Sequence, residues 1–173
     1  MSEVEKPKKA GRPGKAARAV ERVFPDVMRF KAKANFSAVP WLFRRALWLF
    51  QPRAWMVLTY LYLRSGPEGI TWLTDKQIGI DIDLGYRKVG PQLRELESMG
   101  FIVIREFDGE RFVCLIDPHF ALRALVRAGK ITGERLDRLN EDCATIDIEP
   151  IDDRDIPPPV AVGTAPLAEG NPM

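Results

Sequence analysis

The sequence predicts a mainly α-helical protein that carries one small antiparallel β-hairpin, an α+β fold. Between residues 74 and 116, two helix patterns are followed by two β-rich runs that meet at Asp108-Gly109. Of the 173 residues, 46% are hydrophobic, which is enough for one core of ordinary size. Stretches rich in charge, Gly and Pro at both ends predict tails outside that core.

Two helices are predicted within the stretch from 74 to 116. The first begins at Thr74, because Gln77 three residues later completes a capping box that satisfies free N–H groups at a helix start. In the second, apolar residues recur every three or four positions and share one helical face: Val89, Leu93, Leu96 and Met99. Gly100 is expected to end this helix, since the residue there takes a left-handed conformation that glycine adopts at little cost.

A β-hairpin is predicted directly after the second helix. Residues 101–107 and 110–116 are rich in Ile, Val and Phe, which favour strands. The dipeptide Asp108-Gly109 between them favours a type I′ turn, the usual connection of a tight hairpin. The two runs are therefore expected to pair in an antiparallel manner.

Together, these elements resemble the winged helix-turn-helix domains of DNA-binding proteins of bacteria, phages and plasmids, of the regulator or replication-protein type. The resemblance covers residues 34–118 and rests on the joint spacing of apolar and glycine positions. The matching positions are Ile78, Gly79, Ile82, Leu84, Val89, Leu93, Leu96, Gly100, Phe101 and Ile102. The resemblance implies that the second helix is a recognition helix, that the hairpin is a wing and that residues 68–73 add a third strand to it.

The expected recognition helix departs from the family pattern at Gly90-Pro91. Proline inside a helix removes an N–H donor and clashes with the carbonyl group four residues back. We therefore expect either a kink or a separate short turn over residues 86–89. In the second case, Gly90 would be the N-cap and Pro91 the first residue of the longer helix.

The resemblance also implies which side chains contact DNA. The N-terminal part of a recognition helix enters the major groove. The exposed candidates there are Tyr86, Arg87, Lys88, Gln92 and Arg94. Arg87 or Lys88 suits guanine O6 and N7, and Gln92 suits adenine N6 and N7. The alternative interpretation of these residues is a solvated helix face without a ligand.

Further candidates lie outside the major groove. Thr74 and Lys76, at the start of the first helix, are expected to bind phosphate. Arg105 and Arg111 flank the wing turn and suit phosphate or the minor groove. Acidic residues at 106, 108 and 110 reduce the positive charge of the wing, which makes it the weaker candidate.

Charge is distributed unevenly along the chain, although the net charge is only +2. Residues 1–33 hold ten Lys and Arg against four acidic residues, and they are predicted to form a largely disordered basic arm with a helix over 16–28. Within the arm, Gly11-Arg12-Pro13 between lysines resembles the core of an AT-hook, in which Arg12 would lie in the minor groove of A/T-rich DNA. A solvated tail that attracts phosphate in general is the alternative.

Helices are also predicted on both sides of the stretch from 74 to 116. Before it, residues 41–50 and 53–64 are predicted to be helical and are separated by Gln51-Pro52. After it, Asp117-Pro118 begins one helix, Gly129 ends it, and a second helix starts at Thr132. The two helices of residues 119–140 are expected to pack on the preceding domain or to pair two copies of the chain.

The last residues are predicted to form an acidic tail. Residues 141–173 hold one arginine against eight acidic residues, together with three consecutive prolines, a composition typical of unstructured segments. Three alternative roles follow for this tail. It increases the solubility of the protein, it contacts the transcription or replication machinery, or it covers the basic surface of the protein when no DNA is bound.

The sequence offers little support for catalysis, a cofactor or a membrane segment. His119, Cys114 and Cys143 lack the spacing of metal ligands, and neither a phosphate-binding Gly-rich loop nor a nucleophile with its base is found. We therefore expect no enzyme activity and no cofactor. The charged N-terminus and the absence of a long apolar run predict a cytoplasmic protein that is associated with the nucleoid.

These predictions converge on a transcriptional regulator that binds double-stranded DNA sequence-specifically, as a homodimer. The first alternative is a plasmid or phage replication or partition factor, which would use the same helix to mark an origin or a centromere-like site. The second is an interaction module whose winged helix docks a protein. The basic residues of the recognition helix favour DNA.

Overall fold

The computed structural model describes residues 14–31, 40–145 and 147–152. Within these residues the chain forms six α-helices and a three-stranded antiparallel sheet, which confirms the predicted mainly α-helical, α+β class. The elements are α1 (Lys15–Arg22), α2 (Pro52–Arg64), β1 (Ile70–Thr71), α3 (Asp75–Asp81), α4 (Tyr86–Ser98), β2 (Ile102–Phe107), β3 (Glu110–Leu115), α5 (Pro118–Arg127) and α6 (Glu134–Thr145). None of the described helices is both long and apolar enough to span a membrane.

The start of α3 and the end of α4 form as the sequence predicts. Thr74 Oγ1 accepts a hydrogen bond from the Gln77 N–H at 3.3 Å, and Gln77 Oε1 accepts one from the Thr74 N–H at 2.8 Å. After α4, Gly100 has a φ of +79°, and the Phe101 N–H donates to the Leu96 carbonyl oxygen at 3.0 Å. This Schellman arrangement ends the helix and directs Phe101 into the core.

The hairpin of β2 and β3 closes through the predicted two-residue turn. Asp108 and Gly109 have φ values of +52° and +73°, as a type I′ turn requires. β1 pairs with β3 in an antiparallel manner, with Ile70 opposite Cys114. The strand order β1-β3-β2 therefore contains the third strand that the sequence predicts.

Alternate residues of β3 pack against different parts of the protein, because successive side chains of a strand point to opposite faces of the sheet. Val113 and Leu115 join the main core, which includes residues of α2 and α4. Phe112 and Cys114 belong to a second, smaller cluster with residues of α1. Helices therefore pack on both faces of the sheet.

The C-terminal helices share the main core. Leu122 and Leu125 of α5 and Leu139 of α6 are buried in the same cluster as the apolar residues of α2 and α4. Residues 119–140 thus pack on the preceding domain, which is one of the two roles predicted for them. The predicted boundary at residue 118 does not separate two cores.

The N-terminal segment folds further than the sequence predicts. Disorder was expected over most of residues 1–33, but residues 14–31 are part of the folded unit, with Phe24 only 1% exposed and Arg29 in a β-bridge with Ile116. Amino-acid composition predicted the wrong start of the folded region, because the side chains of Val23 and Phe24 are buried only when they pack against the sheet. The helix also ends earlier than predicted, at Arg22, three residues before Pro25.

The C-terminal segment also folds further than predicted. α6 continues to Thr145, and residues 147–152 return to α5 and α6. The Asn140 side chain accepts a hydrogen bond from the Ile151 N–H at 2.7 Å and donates to its carbonyl oxygen at 3.3 Å, while the Ile151 side chain is fully buried. Five of the eight acidic residues of 141–173 lie in this described part, so most of the acidic charge belongs to the fold.

Residues 41–50 do not form the single predicted helix. They form two 3-10 turns, Trp41–Arg45 and Leu47–Leu49. The break between the turns allows Phe43 and Phe50 to approach with their ring centroids 5.7 Å apart. A straight α-helix would separate these residues by about 10 Å along its axis. The aromatic contact therefore overrides the helical pattern.

Candidate nucleic-acid interface

Helix α4 is fixed by its apolar face. Val89, Leu93 and Leu96 are buried in the main core, and α4 contacts both α2 and α3. Gly79 of α3 allows a close crossing, since a Cβ atom at this position would lie 2.4 Å from the Leu84 carbonyl oxygen. The predicted small residue at the crossing is confirmed, and the opposite face of α4 is left to solvent.

α4 is one continuous helix that contains Pro91. The predicted separate turn over residues 86–89 is wrong, because the helix begins at Tyr86 with Gly85, not Gly90, as its N-cap. A proline ring normally clashes with the Cβ atom of the preceding residue when that residue is helical. Gly90 has no Cβ atom, which reduces this clash. Residues 86–88 and 92–94 therefore belong to the same helix.

The exposed side of the first half of α4 carries three cations. Arg87, Lys88 and Arg94 are exposed, and none of them pairs with a carboxylate among the described residues. No Asp or Glu occurs between residues 86 and 94. We use the name α4 basic face for Tyr86, Arg87, Lys88, Gln92 and Arg94. Tyr86 is 54% exposed and Gln92 is half-buried.

Two neighbouring side chains of the α4 basic face restrict each other. Arg87 Nε donates a hydrogen bond to Tyr86 Oη at 3.2 Å, and the guanidinium carbon lies 5.7 Å from the Tyr86 ring centroid. A cation held near an aromatic ring gains electrostatic attraction. Arg87 is therefore partly oriented before any ligand binds.

The N-terminus of α4 adds to the positive potential of this surface. Its N-cap, Gly85, makes no side-chain capping hydrogen bond, and the first turn holds no acidic residue. A helix carries the equivalent of about half a positive charge at its N-terminus. Since no nearby side chain of the helix neutralises this charge, it reinforces Arg87 and Lys88.

The start of α3 lies close to α4. Lys76 is exposed and has no carboxylate partner in the described part of the chain. The Thr74 hydroxyl group is engaged in the capping box with Gln77. Asp75 approaches α4 so closely that a Cβ atom on Gly90 would lie 3.2 Å from Asp75 Oδ2.

The two hairpin arginines that were predicted to contact DNA form ion pairs with carboxylates of the same chain. Arg105 contacts Asp26 at 2.8 and 3.1 Å and donates to the Val23 carbonyl oxygen, and this pairing lowers the pKa of Asp26 below its usual value. Arg111 contacts Asp75 at 2.6 Å. Sequence reasoning missed both pairs because the partners are 79 and 36 residues away along the chain.

The basic N-terminal region contains candidates that sequence reasoning did not select. Arg12 lies outside the described residues. Helix α1, which follows it, carries Lys15, Arg18 and Arg22. Their spacing of three and four residues places them on one helical face, and that spacing was the available signal.

The described residues offer no alternative metal centre. Over residues 14–31, 40–145 and 147–152, no group of three or more His, Cys, Asp or Glu is arranged to hold a metal ion. Cys114 and Cys143 are free and buried. Burial raises the pKa of the Cys114 thiol to about 12, so this thiol is protonated at neutral pH.

Comparisons of the chain with protein-family models, with curated proteins and with solved structures found no match. No relative therefore supplies a function. The class of protein is inferred from the helix pair α3–α4, the hairpin β2–β3 and the charges that they expose.

Proposed function

We propose that this protein is a winged helix-turn-helix protein that binds double-stranded DNA sequence-specifically and regulates transcription. The α4 basic face carries the proposal, because its three cations lack carboxylate partners among the described residues and its helix is fixed by buried residues on the other side. In this proposal α3 and α4 form the helix-turn-helix, and β2 and β3 form the wing. The major groove of B-DNA is wide enough to admit α4.

Base readout is assigned to the first two turns of α4. Arg87 and Lys88 present donors that match guanine O6 and N7, and Gln92 presents an amide that matches adenine N6 and N7. Each good bidentate pair contributes about 1–3 kcal/mol of discrimination against the wrong base. Of these side chains, Arg87 is already partly oriented in the unbound protein, since its Nε donates a hydrogen bond to Tyr86 Oη.

Phosphate binding is assigned to the starts of α3 and α4. Lys76 is exposed, and the N–H groups at the Gly85 end of α4 lack a side-chain cap. Helix N-termini of this kind bind anions through N–H groups and the helix dipole. Thr74 contributes less than Lys76, because its hydroxyl group is already engaged with Gln77.

The hairpin arginines are assigned a positioning role. Arg105 and Arg111 would have to leave Asp26 and Asp75 before they could bind phosphate. Because each arginine also donates to a backbone carbonyl group, two interactions would be lost at once. We propose that they hold the hairpin against the N-terminal segment and α3.

The proposal is tested by selecting bound duplexes from a random-sequence library. The variant Arg87→Ala/Lys88→Ala removes two cations of the α4 basic face. The matched control Lys130→Ala/Arg138→Ala removes two exposed cations from the C-terminal helical region, where Arg138 makes only an exposed pair with Glu134. The wild type and the control are expected to enrich the same motif, and the α4 variant is expected to lose it.

Other outcomes of the selection separate the alternatives. Equal binding of all duplexes by the folded wild type would contradict sequence specificity. Failure to bind any duplex would contradict DNA binding altogether and would favour the protein-interaction module. Motif occurrences at promoters would support the regulator, whereas occurrences at an origin or a centromere-like site would support the replication or partition factor.

The predicted homodimer stays a prediction. Helix-turn-helix dimers bind half-sites about 10 base pairs apart, so a dimer is expected to select a palindromic motif with this spacing. Light scattering of the complex with a selected duplex measures the stoichiometry. Two chains per duplex are expected, and one chain per duplex would contradict the dimer. Contact of the acidic tail with transcription or replication machinery also stays a prediction.

A further inference from the structure

Helix α1 packs on the face of the sheet that is turned away from the main core. Ala19, Val23 and Phe24 form a buried cluster with Phe112 and Cys114 of β3. These contacts fix the orientation of α1 relative to the hairpin. The outward side of α1 is consequently held in a defined position beside the hairpin.

The start of α1 lies next to the hairpin turn. Lys15 Nζ contacts Glu110 Oε2 at 2.6 Å, and Glu110 directly follows the turn residues. The same ammonium group lies 5.1 Å from the Trp72 ring centroid and 5.6 Å from that of Phe112. The N-terminal end of α1 therefore lies beside this turn.

Two further cations of α1 have no ion-pair or hydrogen-bond partner for their side chains in the part of the chain that the structure describes. Arg18 and Arg22 are exposed, and neither makes an ion pair or a hydrogen bond through its side chain within the described residues. They lie one helical turn apart, about 6 Å along the axis. With Lys15 they line a groove of about 310 Å³ between α1 and the hairpin.

Three acidic residues lie on or beside this groove, and among the described residues none of them forms an ion pair with Arg18 or Arg22. Asp108 and Glu110 of the hairpin line it, but Glu110 is already paired with Lys15. Glu21 is the acidic residue of α1, and it is exposed beside Arg18 and Arg22. The two arginines thus remain available to an anion that approaches from solvent.

We propose that α1 is a second DNA-binding surface and that Arg18 and Arg22 bind phosphates of the duplex next to the hairpin. The inference rests on the proposed function of α4 and deepens it. The hairpin arginines are engaged inside the protein, so α1 supplies the positive charge on this side instead. Two guanidinium groups one turn apart suit neighbouring phosphates of one strand. Such contacts position the protein without reading sequence.

The test measures the affinity of the full chain for a fluorescently labelled duplex by anisotropy, between about 50 and 200 mM salt. One duplex has random sequence and the other carries the motif selected by the wild type. Arg18→Ala/Arg22→Ala is expected to weaken binding to both duplexes by a similar factor, roughly ten- to a hundredfold at moderate salt. The slope of log affinity against log salt should fall by about 1.8 in magnitude.

Two further variants test whether the effect comes from the positive charges at positions 18 and 22. Arg18→Lys/Arg22→Lys keeps the charges and is expected to recover most of the affinity and slope. Lys130→Ala/Arg138→Ala removes the same charge elsewhere and should have a much smaller effect. Unfolding of the α1 variant is not expected, since alanine favours helices and neither arginine makes a contact that the fold needs. Circular dichroism checks this.

The outcomes distinguish this inference from the proposed function. If the wild type binds DNA and Arg18→Ala/Arg22→Ala has the same affinity and salt slope, the proposed role of α1 is overturned. The proposed role of α4 is then unaffected. An equal loss in the Lys130→Ala/Arg138→Ala variant would also overturn it, because general charge would then explain the effect. A wild type that binds neither duplex would overturn both proposals.

Discussion

Arg111 on β3 and Asp75 at the start of α3 form an ion pair of 2.6 Å that joins the hairpin to the helix pair. Arg111 also donates to the Leu73 carbonyl oxygen at 2.8 Å. Asp75 lies beside Gly90 of α4. Because the side chains of the pair are only 27% and 30% exposed, solvent screens their attraction only in part.

Asp75→Asn and Arg111→Gln are each expected to lower the free energy of unfolding by about 0.5–1 kcal/mol, since each leaves a half-buried charge without its partner. A double-mutant cycle in urea measures the coupling between them. A coupling energy near zero would show that the pair does not contribute to stability. In DNA binding, Arg111→Gln should have a smaller effect than Arg87→Ala, because Arg111 is already engaged.

Gly79→Ala is expected to destabilise the protein by about 1–3 kcal/mol, because the new Cβ atom would lie 2.4 Å from the Leu84 carbonyl oxygen, a backbone atom. Gly66→Ala is the matched control, since nothing lies within 4 Å of a Cβ atom there. The control should change stability by less than about 0.5 kcal/mol. Urea unfolding compares the two variants, and equal stabilities would rule out the close crossing of α3 and α4.

Pro91→Ala is expected to stabilise the protein by about 1 kcal/mol or more. Proline costs about 3 kcal/mol relative to alanine inside a helix, and part of this gain is offset by the greater freedom of the unfolded chain. Pro91 is exposed, so the substitution removes no core contact. Pro67→Ala, in the turn after α2, should give no gain. A lower melting temperature for Pro91→Ala would contradict a continuous α4.

Ile151→Ala is expected to lower the free energy of unfolding by about 2–5 kcal/mol, because the Ile151 side chain is fully buried in the main core. Ile148→Ala is the control within the same segment, since Ile148 is 37% exposed. Its effect should be much smaller. Equal effects of the two substitutions in urea unfolding would show that residues 147–152 are not docked as described.

The Asp26–Arg105 pair is expected to make stability depend on pH in acid. Arg105 lowers the pKa of Asp26 from its usual 3.8. A lowered pKa in the folded state stabilises the protein above about pH 4, and this contribution is lost as the pH falls through the lowered value. Asp26→Asn should therefore be less stable than the wild type at neutral pH and equally stable in strong acid. A difference that persists unchanged in acid would contradict the pairing.

Much of the fold follows from local signals. The capping box at Thr74, the left-handed Gly100 and the turn at Asp108 and Gly109 each depend on residues within a few positions of one another. Interactions of this range are fully specified by a short stretch of sequence. The exposed positions of the α4 basic face follow in the same way, because helical periodicity fixes them once Val89 and Leu93 are assigned to the core.

Other features could not be predicted, because they depend on contacts between distant segments. The burial of Phe24 and of Ile151 requires surfaces that exist only after the sheet and the helices have packed. Composition alone therefore assigned both residues to tails. The 3-10 turns around Ala46 arise similarly from contacts of Phe43 with rings elsewhere in the core.

The sequence by itself determined the helix pair, the hairpin and the set of cations that face solvent or flank the turn. Only the tertiary structure decided which of these cations are free. Among the described residues Arg87 and Lys88 form no ion pair, whereas Arg105 and Arg111 pair with Asp26 and Asp75 from distant parts of the chain. The physical reason is that electrostatic pairing depends on distance in space, which local sequence patterns do not contain.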